Sequence, residues 1–242
     1  MPLPVFNNNK LMAQRKIQFI NGEIYHIILR GVDGRLVFMG EEDNWRGVFS
    51  LYEFNNILPV TIRRQRQLRK QIKKKIISGK IIDFDETDKR NKPVEILSFV
   101  FMPNHIHLLL RQIKTNGVSI FMQKFGSGYT SFVNTKYQRV GHLFQGKFEA
   151  KHISGNEYLK NVFVYIHANP LSIIKSGWKE LGIDDVPAAI KFLEEYRWSS
   201  YLDYLGKNNF PSLTDRQFLL DIFGGVPEIK KHVESWVAYK KN

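Results

Sequence analysis

The 242-residue sequence contains no cysteine, and this absence removes two classes of structure at once. Neither a disulfide framework nor a metal site built on thiolates is possible. The sequence also has no apolar run near the roughly 18–20 residues that cross a membrane. Its N-terminal segment, MPLPVFNNNKLMAQRK, lacks the long apolar stretch of a signal peptide. We therefore expect a protein of the reducing cytoplasm that has no membrane partner.

Acidic residues are scarce relative to basic ones. Lysine and arginine number 36 against 23 aspartates and glutamates, which gives a net charge of +13 and a pI near 9.8. A balance of this kind indicates a polyanionic partner, most often a nucleic acid. An anionic membrane would also attract such a chain, but no amphipathic helix with a tryptophan- or phenylalanine-rich face favours it. A basic protein with no polyanionic partner is the remaining alternative.

Two histidines one residue apart interrupt the apolar run FMPNHIHLLL at residues 101–110. A short apolar run behind a Pro-Asn turn signal predicts a buried strand. Because side chains alternate between the faces of a strand, His105 and His107 share one face, about 7 Å apart along the strand, and Ile106 points into a core. Two imidazoles on one face can chelate a divalent cation or bind a phosphate and its water. Two histidines packed at a strand end are the structural alternative.

Hydrophobic periodicity and turn signals predict an α+β domain with a mainly antiparallel sheet. The predicted elements are strand 23–32, helix 43–58, a basic insert, strand 94–102, the histidine strand, helix 118–138, a strand pair within 141–154, helix 156–169 and helix 212–225. We expect Asp43 or Asn44 to cap the first helix and Asn156 to cap helix 156–169. His26 and His152 also lie on predicted strands; we expect surface or structural roles for them, and His152 could lie near the site.

The basic insert is the most highly charged segment of the chain. Eight of the thirteen residues from Arg63 to Lys75 are basic. Leu68, Ile72 and Ile76 recur every four residues, which predicts a basic amphipathic helix or a mobile basic arm. We expect this cluster to bind DNA phosphates, and a solvated charged face is the alternative. The predicted DNA-binding residues are Arg63, Arg64, Arg66, Arg69, Lys70, Lys73, Lys74 and Lys75.

The segment YLKNVFVYIHANP at 158–170 carries a further candidate group, Tyr165. Tyr165 and Asn169 are four residues apart and therefore share one face of the predicted helix. The residues around Tyr165 are apolar, so a core tyrosine packed against the sheet is the alternative to a functional one.

Four segments together resemble the HUH single-strand DNA transposases, and within them the REP-associated tyrosine transposase-like group. They are MPNHIHLLL (102–110), GHLFQGKFEAKHI (141–153), YLKNVFVYIHANP (158–170) and YRWSSY (196–201). The segment YHIILRG at 25–31 also resembles the first strand of that family, and the resemblance covers roughly residues 20–205. The histidine triad hydrolases also carry His-x-His on a strand, but they need a third alternating histidine where this sequence has Leu109.

The resemblance implies a ferredoxin-like HUH domain that cleaves and rejoins DNA. It makes His105 and His107 ligands of Mg²⁺ or Mn²⁺, and Tyr165 the nucleophile that forms a 5′-phosphotyrosine. Asn169 occupies the position of an amide-bearing third ligand. The implied partner is single-stranded or hairpin DNA with REP-like palindromes. We expect a catalytic domain over residues 16–175, with the insert near 60–92, and a helical C-terminal extension over 176–242.

Three functions fit this resemblance. A metal-dependent DNA strand transferase is favoured because His105, His107 and Tyr165 are all intact. A catalytically weak hairpin-DNA-binding regulator with the same fold is the alternative, although such a protein is free to lose these residues. A replication initiator or relaxase fits less well, since the 242 residues hold no helicase segment. The resemblance allows a monomer or a homodimer, and the length of the chain favours the monomer.

Overall fold

The computed structural model describes residues 17–60 and 90–239. The eight predicted DNA-binding residues between Arg63 and Lys75 lie outside these described residues. The strands are β1 (Ile24–Arg30), β2 (Val94–Met102), β3 (His105–Gln112) and β4 (Glu149–Ile153). The α-helices are α1 (Glu41–Phe54), α2 (Gly117–Lys136), α3 (Asn156–Ala168), α4 (Leu171–Ile174), α5 (Trp178–Leu181), α6 (Val186–Glu195), α7 (Tyr201–Tyr204), α8 (Gln217–Phe223) and α9 (Val226–Tyr239). None of the helices in this described part is both long enough and apolar enough to cross a membrane.

The four strands form one antiparallel sheet in the order β2-β3-β1-β4. Because α1 lies between β1 and β2 and α2 lies between β3 and β4, the chain has the β-α-β-β-α-β arrangement of ferredoxin-like domains. A two-residue turn at Pro103 and Asn104 joins β2 to β3, as the Pro-Asn signal predicts. The predicted α+β class, antiparallel sheet and ferredoxin-like topology are therefore confirmed.

Helices cover both faces of the sheet, and the alternation of side chains along each strand decides which residues meet which helices. Ile27, Ile106 and Leu108 are buried in one core with residues of α1 and α2. On the opposite face, Leu109 is buried in a second core with residues of α3 and of the helices α4 to α9. The C-terminal helices α5 to α9 thus share a core with α3.

The Trp-Ser-Ser motif at 198–200 protects one edge of the sheet. The N–H of Phe101 donates to the carbonyl of Trp198 at 2.9 Å, and the N–H of Ser200 donates to the carbonyl of Phe99 at 3.0 Å. The Ser200 hydroxyl accepts from the Phe99 N–H at 3.0 Å and lies 2.8 Å from Nε2 of His167 on α3. The motif therefore satisfies backbone groups of an edge strand, which would otherwise be open to unwanted pairing, and it ties α3 to β2.

The first helix differs from its prediction at both ends. α1 begins at Glu41, and neither Asp43 nor Asn44 caps it. Asp43 is instead buried, where it accepts hydrogen bonds from Lys136 Nζ and from the Tyr137 hydroxyl, each at 2.7 Å. The helix ends at Phe54 rather than at residue 58, because Asn55 leaves the helical backbone and its side chain donates to the Val94 carbonyl at 3.0 Å. Tertiary contacts override the local signals at both ends.

Three further predictions from the sequence differ from the structure. Within the predicted strand pair 141–154, only β4 forms a strand that pairs with β1, while Leu143 and Phe144 are buried side chains of a loop. Asn156 opens α3 but makes no side-chain cap. The predicted helix 212–225 is the shorter α8, which ends where Gly224 takes a left-handed conformation with φ of 87°.

Candidate active site

β1 and β3 bring three histidines together on the sheet face that α3 covers. Antiparallel pairing sets Ile28 opposite His107, so His26 and His107 are diagonal neighbours on one face. Nε2 of His26 lies 2.9 Å from Nδ1 of His107, and the Nε2 atoms of His105 and His107 are 3.0 Å apart. His26 and His107 are buried, while His105 is partly exposed. His105 and His107 thus share one face, as the sequence predicts.

Each imidazole has a hydrogen-bond partner that fixes its orientation. Nδ1 of His105 lies 2.6 Å from Oδ1 of Asn104, an oxygen that only accepts, so His105 donates its Nδ1–H. Nε2 of His105 therefore carries a lone pair. His107 satisfies this lone pair by donating its own Nε2–H, and His26 then donates to Nδ1 of His107. A directed chain runs from His26 through His107 and His105 to Asn104.

The other neutral tautomer of His107, with its proton on Nδ1, would allow His105 and His107 to hold one divalent cation together. If His107 donates its Nδ1–H to His26, its Nε2 carries a lone pair, as Nε2 of His105 does, and the pair offers two nitrogen ligands side by side. Two nitrogen ligands at right angles around an ion, with bonds of about 2.1 Å, stand about 3.0 Å apart. The observed separation of the two Nε2 atoms is 3.0 Å. Across residues 17–60 and 90–239, no group of three or more histidine, aspartate or glutamate side chains is arranged to hold a metal ion.

Burial keeps these imidazoles neutral at physiological pH. It lowers the pKa of His26 to about 3 and the pKa of His105 to about 4, and it holds the pKa of His107 well below its ordinary value. The positive charges of Arg30 and Lys179 lower all three values further. A neutral imidazole is the form that binds a metal.

Helix α3 places Tyr165 over the histidines. The Tyr165 ring meets the ring of His107 edge-on at a centroid distance of 5.7 Å and that of His26 at 6.0 Å. Asn169 follows the last turn of α3, where its Nδ2 donates to the Tyr165 carbonyl at 2.7 Å and its Oδ1 accepts from Lys179 Nζ at 3.1 Å. The structure thus brings Tyr165 to the histidine pair, and the Asn169 oxygen faces Lys179.

One protein family matches part of the chain. Residues 55–169, just under half of the chain, match the protein family described as "Transposase IS200 like". The matched segment includes the histidine pair and Tyr165. The family resemblance drawn from the sequence motifs is confirmed for this segment, and the match supports a transposase-type function.

A solved structure described as "Structure of the REP associates tyrosine transposase bound to a REP hairpin" is similar to this chain, with a TM-score of 0.49 and 13% sequence identity. The similarity covers 85% of this chain and 96% of that one. No curated protein matches the sequence.

Three basic residues lie near the histidines. After burial, the charges of Lys151, Arg30 and Lys179 are what lower the pKa of His26. Arg30 follows His26 by four residues on β1 and so shares its face, and Lys151 is the β4 partner of His26. Arg30 also pairs with Glu149 at 3.1 Å, and the net positive charge of the cluster favours an anion such as a phosphate group.

Sequence reasoning singled out none of these basic residues. Strand alternation was a sufficient signal for Arg30, since His26 and Arg30 are two strand periods apart. No sequence pattern placed Lys179 near the histidines, because it lies ten residues beyond Asn169 in the short helix α5. His152 lies on the other face, where it contacts Tyr25 and pairs with Glu23. His26, for which we expected a surface or structural role, is the histidine that joins the site.

Proposed function

We propose that this protein is a metal-dependent single-strand DNA endonuclease and strand transferase that acts on hairpin-containing DNA through a 5′-phosphotyrosine at Tyr165. The observation that carries the proposal is the position of the Tyr165 ring, 5.7 Å from the ring of His107, above two Nε2 atoms that are 3.0 Å apart. A phosphate held at the histidines would therefore be close to the phenol.

His105 and His107 would hold the divalent cation, Mg²⁺ or Mn²⁺, through their Nε2 atoms. When bound, the cation would polarise an oxygen of the scissile phosphate and offset its developing charge. Mg²⁺ prefers oxygen ligands, so we keep Asn169 as the proposed third ligand. Its Oδ1 accepts from Lys179 at 3.1 Å in this conformation, and it would have to turn away from Lys179 to join the histidines.

The side chains of the protein perform the remaining tasks. The charges of Arg30, Lys151 and Lys179 attract the DNA backbone to the sheet. Oη of Tyr165 then attacks phosphorus, so that an Oη–P bond forms as the P–O3′ bond breaks. The covalent link retains the energy of the broken phosphodiester, which allows a later 3′-OH to rejoin the strand. One chain supplies both histidines and the tyrosine, so the proposal requires no second copy.

End-labelled DNA tests this function directly. Hairpin oligonucleotides labelled at either the 5′ or the 3′ end are incubated with the protein and Mn²⁺, then separated on a denaturing gel. We expect the DNA on the 3′ side of the break to migrate with the protein and the other fragment to end in a free 3′-OH. Both products should vanish with a chelator and in His105→Ala and His107→Ala variants.

Binding without cleavage would favour a different function. If varied hairpin oligonucleotides bind tightly but form neither product in Mg²⁺ or Mn²⁺, the strand-transferase proposal is wrong. The regulator that binds hairpin DNA without cutting it would then be the better account.

A further inference from the structure

Lys179 is held close to Tyr165 by an anchored neighbour. It lies in the short helix α5, which begins after Gly177 in a left-handed conformation with φ of 72°. Trp178, the residue before it, is buried and packs its ring against Trp236 at a centroid distance of 5.4 Å. The backbone of Lys179 is therefore fixed, and its side chain reaches α3.

The ammonium group of Lys179 contacts the proposed nucleophile itself. Lys179 Nζ donates to Tyr165 Oη at 3.2 Å and to Asn169 Oδ1 at 3.1 Å, and it lies 4.3 Å from the centre of the Tyr165 ring. Among the described residues, no carboxylate forms an ion pair with it. Lys175 on the same segment differs, since it pairs with Asp184. The Lys179 charge is thus directed at a phenol rather than neutralised by an acid.

We propose that Lys179 is a catalytic residue whose ammonium group stabilises negative charge on Tyr165 Oη. This inference rests on the proposed function. In cleavage, the phenolic proton passes to solvent, the Oη–P bond forms, the P–O3′ bond breaks, and O3′ takes a proton from solvent. In rejoining, a DNA 3′-oxygen loses its proton to solvent and attacks phosphorus, and Tyr165 leaves as the phenolate. Lys179 stays protonated throughout and acts by its charge.

Forming a phenolate at neutral pH is unfavourable without a nearby cation, because a phenol ordinarily has a pKa near 10. A preorganised donor at an oxygen that carries developing charge contributes roughly 100- to 1,000-fold to rate. The alternative is that Lys179 only tethers α5 to α3 by hydrogen bonds. A neutral donor of similar reach would preserve such a tether but would lose the charge.

The test compares Lys179→Gln, Lys179→Arg and the control Lys175→Gln in single-turnover cleavage of a labelled hairpin oligonucleotide. We expect Lys179→Gln to slow adduct formation about 100-fold, Lys179→Arg to retain most of the rate, and Lys175→Gln to match the wild type. Because Lys179 also helps to attract DNA, Lys179→Gln should weaken DNA binding a few fold in fluorescence anisotropy, so all rates are compared at saturating oligonucleotide.

A second variant separates charge from tethering. 3,5-Difluorotyrosine at position 165 has a more acidic phenol and needs less help to ionise. In that background, Lys179→Gln should cost at least tenfold less than it costs with tyrosine. An equal loss in both backgrounds, or a full rate in Lys179→Gln, would overturn the role of Lys179. If the wild-type protein forms no adduct on any hairpin tested, the proposed function fails instead.

Discussion

At the scale of single residues, His107 is the most constrained side chain of the site. Its two ring nitrogens lie 2.9 Å from His26 and 3.0 Å from His105, and it is buried. In the tautomer that can bind a metal, His26 would accept the Nδ1–H of His107 and leave Nε2 of His107 with a lone pair, as partners of metal-bound histidines commonly do. This assigns His26 a positioning role that does not require it to touch DNA.

Replacing His26 tests that role. His26→Ala removes the acceptor for the Nδ1–H of His107, so we expect a 10- to 100-fold loss of Mn²⁺ affinity. His26→Gln restores an acceptor and should recover part of the affinity. Titration calorimetry of the DNA-free protein measures both, and the exposed His142→Ala serves as the control. Equal Mn²⁺ affinity in His26→Ala and the wild type would show that His26 does not orient His107.

At the scale of elements, the position of Tyr165 depends on how α3 is tied to the sheet. The Ser200 hydroxyl lies between the Phe99 N–H of β2 and His167 of α3, at 3.0 Å and 2.8 Å. All three residues are buried, so the loss of this hydroxyl leaves polar groups without a partner.

We expect Ser200→Ala to lower the free energy of unfolding by about 1–3 kcal/mol, since a buried hydrogen-bonding group left unpaired costs roughly this amount. Urea denaturation at neutral pH measures the change. Ser119→Ala, on the exposed face of α2, should change stability by less than about 0.5 kcal/mol. Similar values for the two variants would contradict the account of the Trp-Ser-Ser motif.

Features set by local sequence patterns could be predicted, whereas features set by tertiary contacts could not. Strand alternation and the Pro-Asn turn were enough to predict the β2–β3 hairpin and the common face of His105 and His107. Asp43 looked like a helix cap, but long-range bonds to Lys136 and Tyr137 hold it inside the protein. Lys179 was missed for the same physical reason, because its place beside Tyr165 results from packing of α5 and not from local periodicity.

At the scale of the whole molecule, several histidines with lowered pKa values make the free energy of unfolding depend on pH. The pKa values of His26, His105 and His167 fall to about 3, 4 and 3, chiefly through burial. These folded-state values lie below the unfolded value of about 6.5. Between pH 6.5 and about pH 4 the unfolded chain therefore binds more protons than the folded one, and stability falls as pH falls.

Urea denaturation of the chelator-treated protein at pH 7.5, 6.0 and 5.0 tests this linkage. Below pH 6.5, each such histidine should make the free energy of unfolding fall by up to about 1.4 kcal/mol per pH unit. His167→Phe should reduce the slope between pH 6.0 and 5.0 by about that amount, whatever its effect at pH 7.5. A stability that stays constant from pH 7.5 to 5.0 would contradict the neutral, buried state of these histidines.

The net charge of +13 leads to a second prediction at this scale. If the basic insert binds phosphates, the plot of the logarithm of the DNA-binding constant against the logarithm of salt concentration should become less steep when Arg63, Arg64 and Arg66 are replaced with Gln. For single-stranded DNA the magnitude of its slope should fall by about 2. Replacing Lys191, Lys207 and Lys231 with Gln removes the same charge elsewhere and should change the slope by less. Anisotropy titrations from 50 to 300 mM salt would show equal slopes if the insert makes no phosphate contacts.

The most direct measurement of the central claim is peptide mass spectrometry of the protein after reaction with a hairpin oligonucleotide and Mn²⁺. We predict a nucleotide-modified peptide that contains Tyr165, absent after chelation and in Tyr165→Phe, while Tyr165→Phe still binds the oligonucleotide. A modification on Tyr158 instead, or full cleavage by Tyr165→Phe, would contradict the assignment of Tyr165 as the nucleophile.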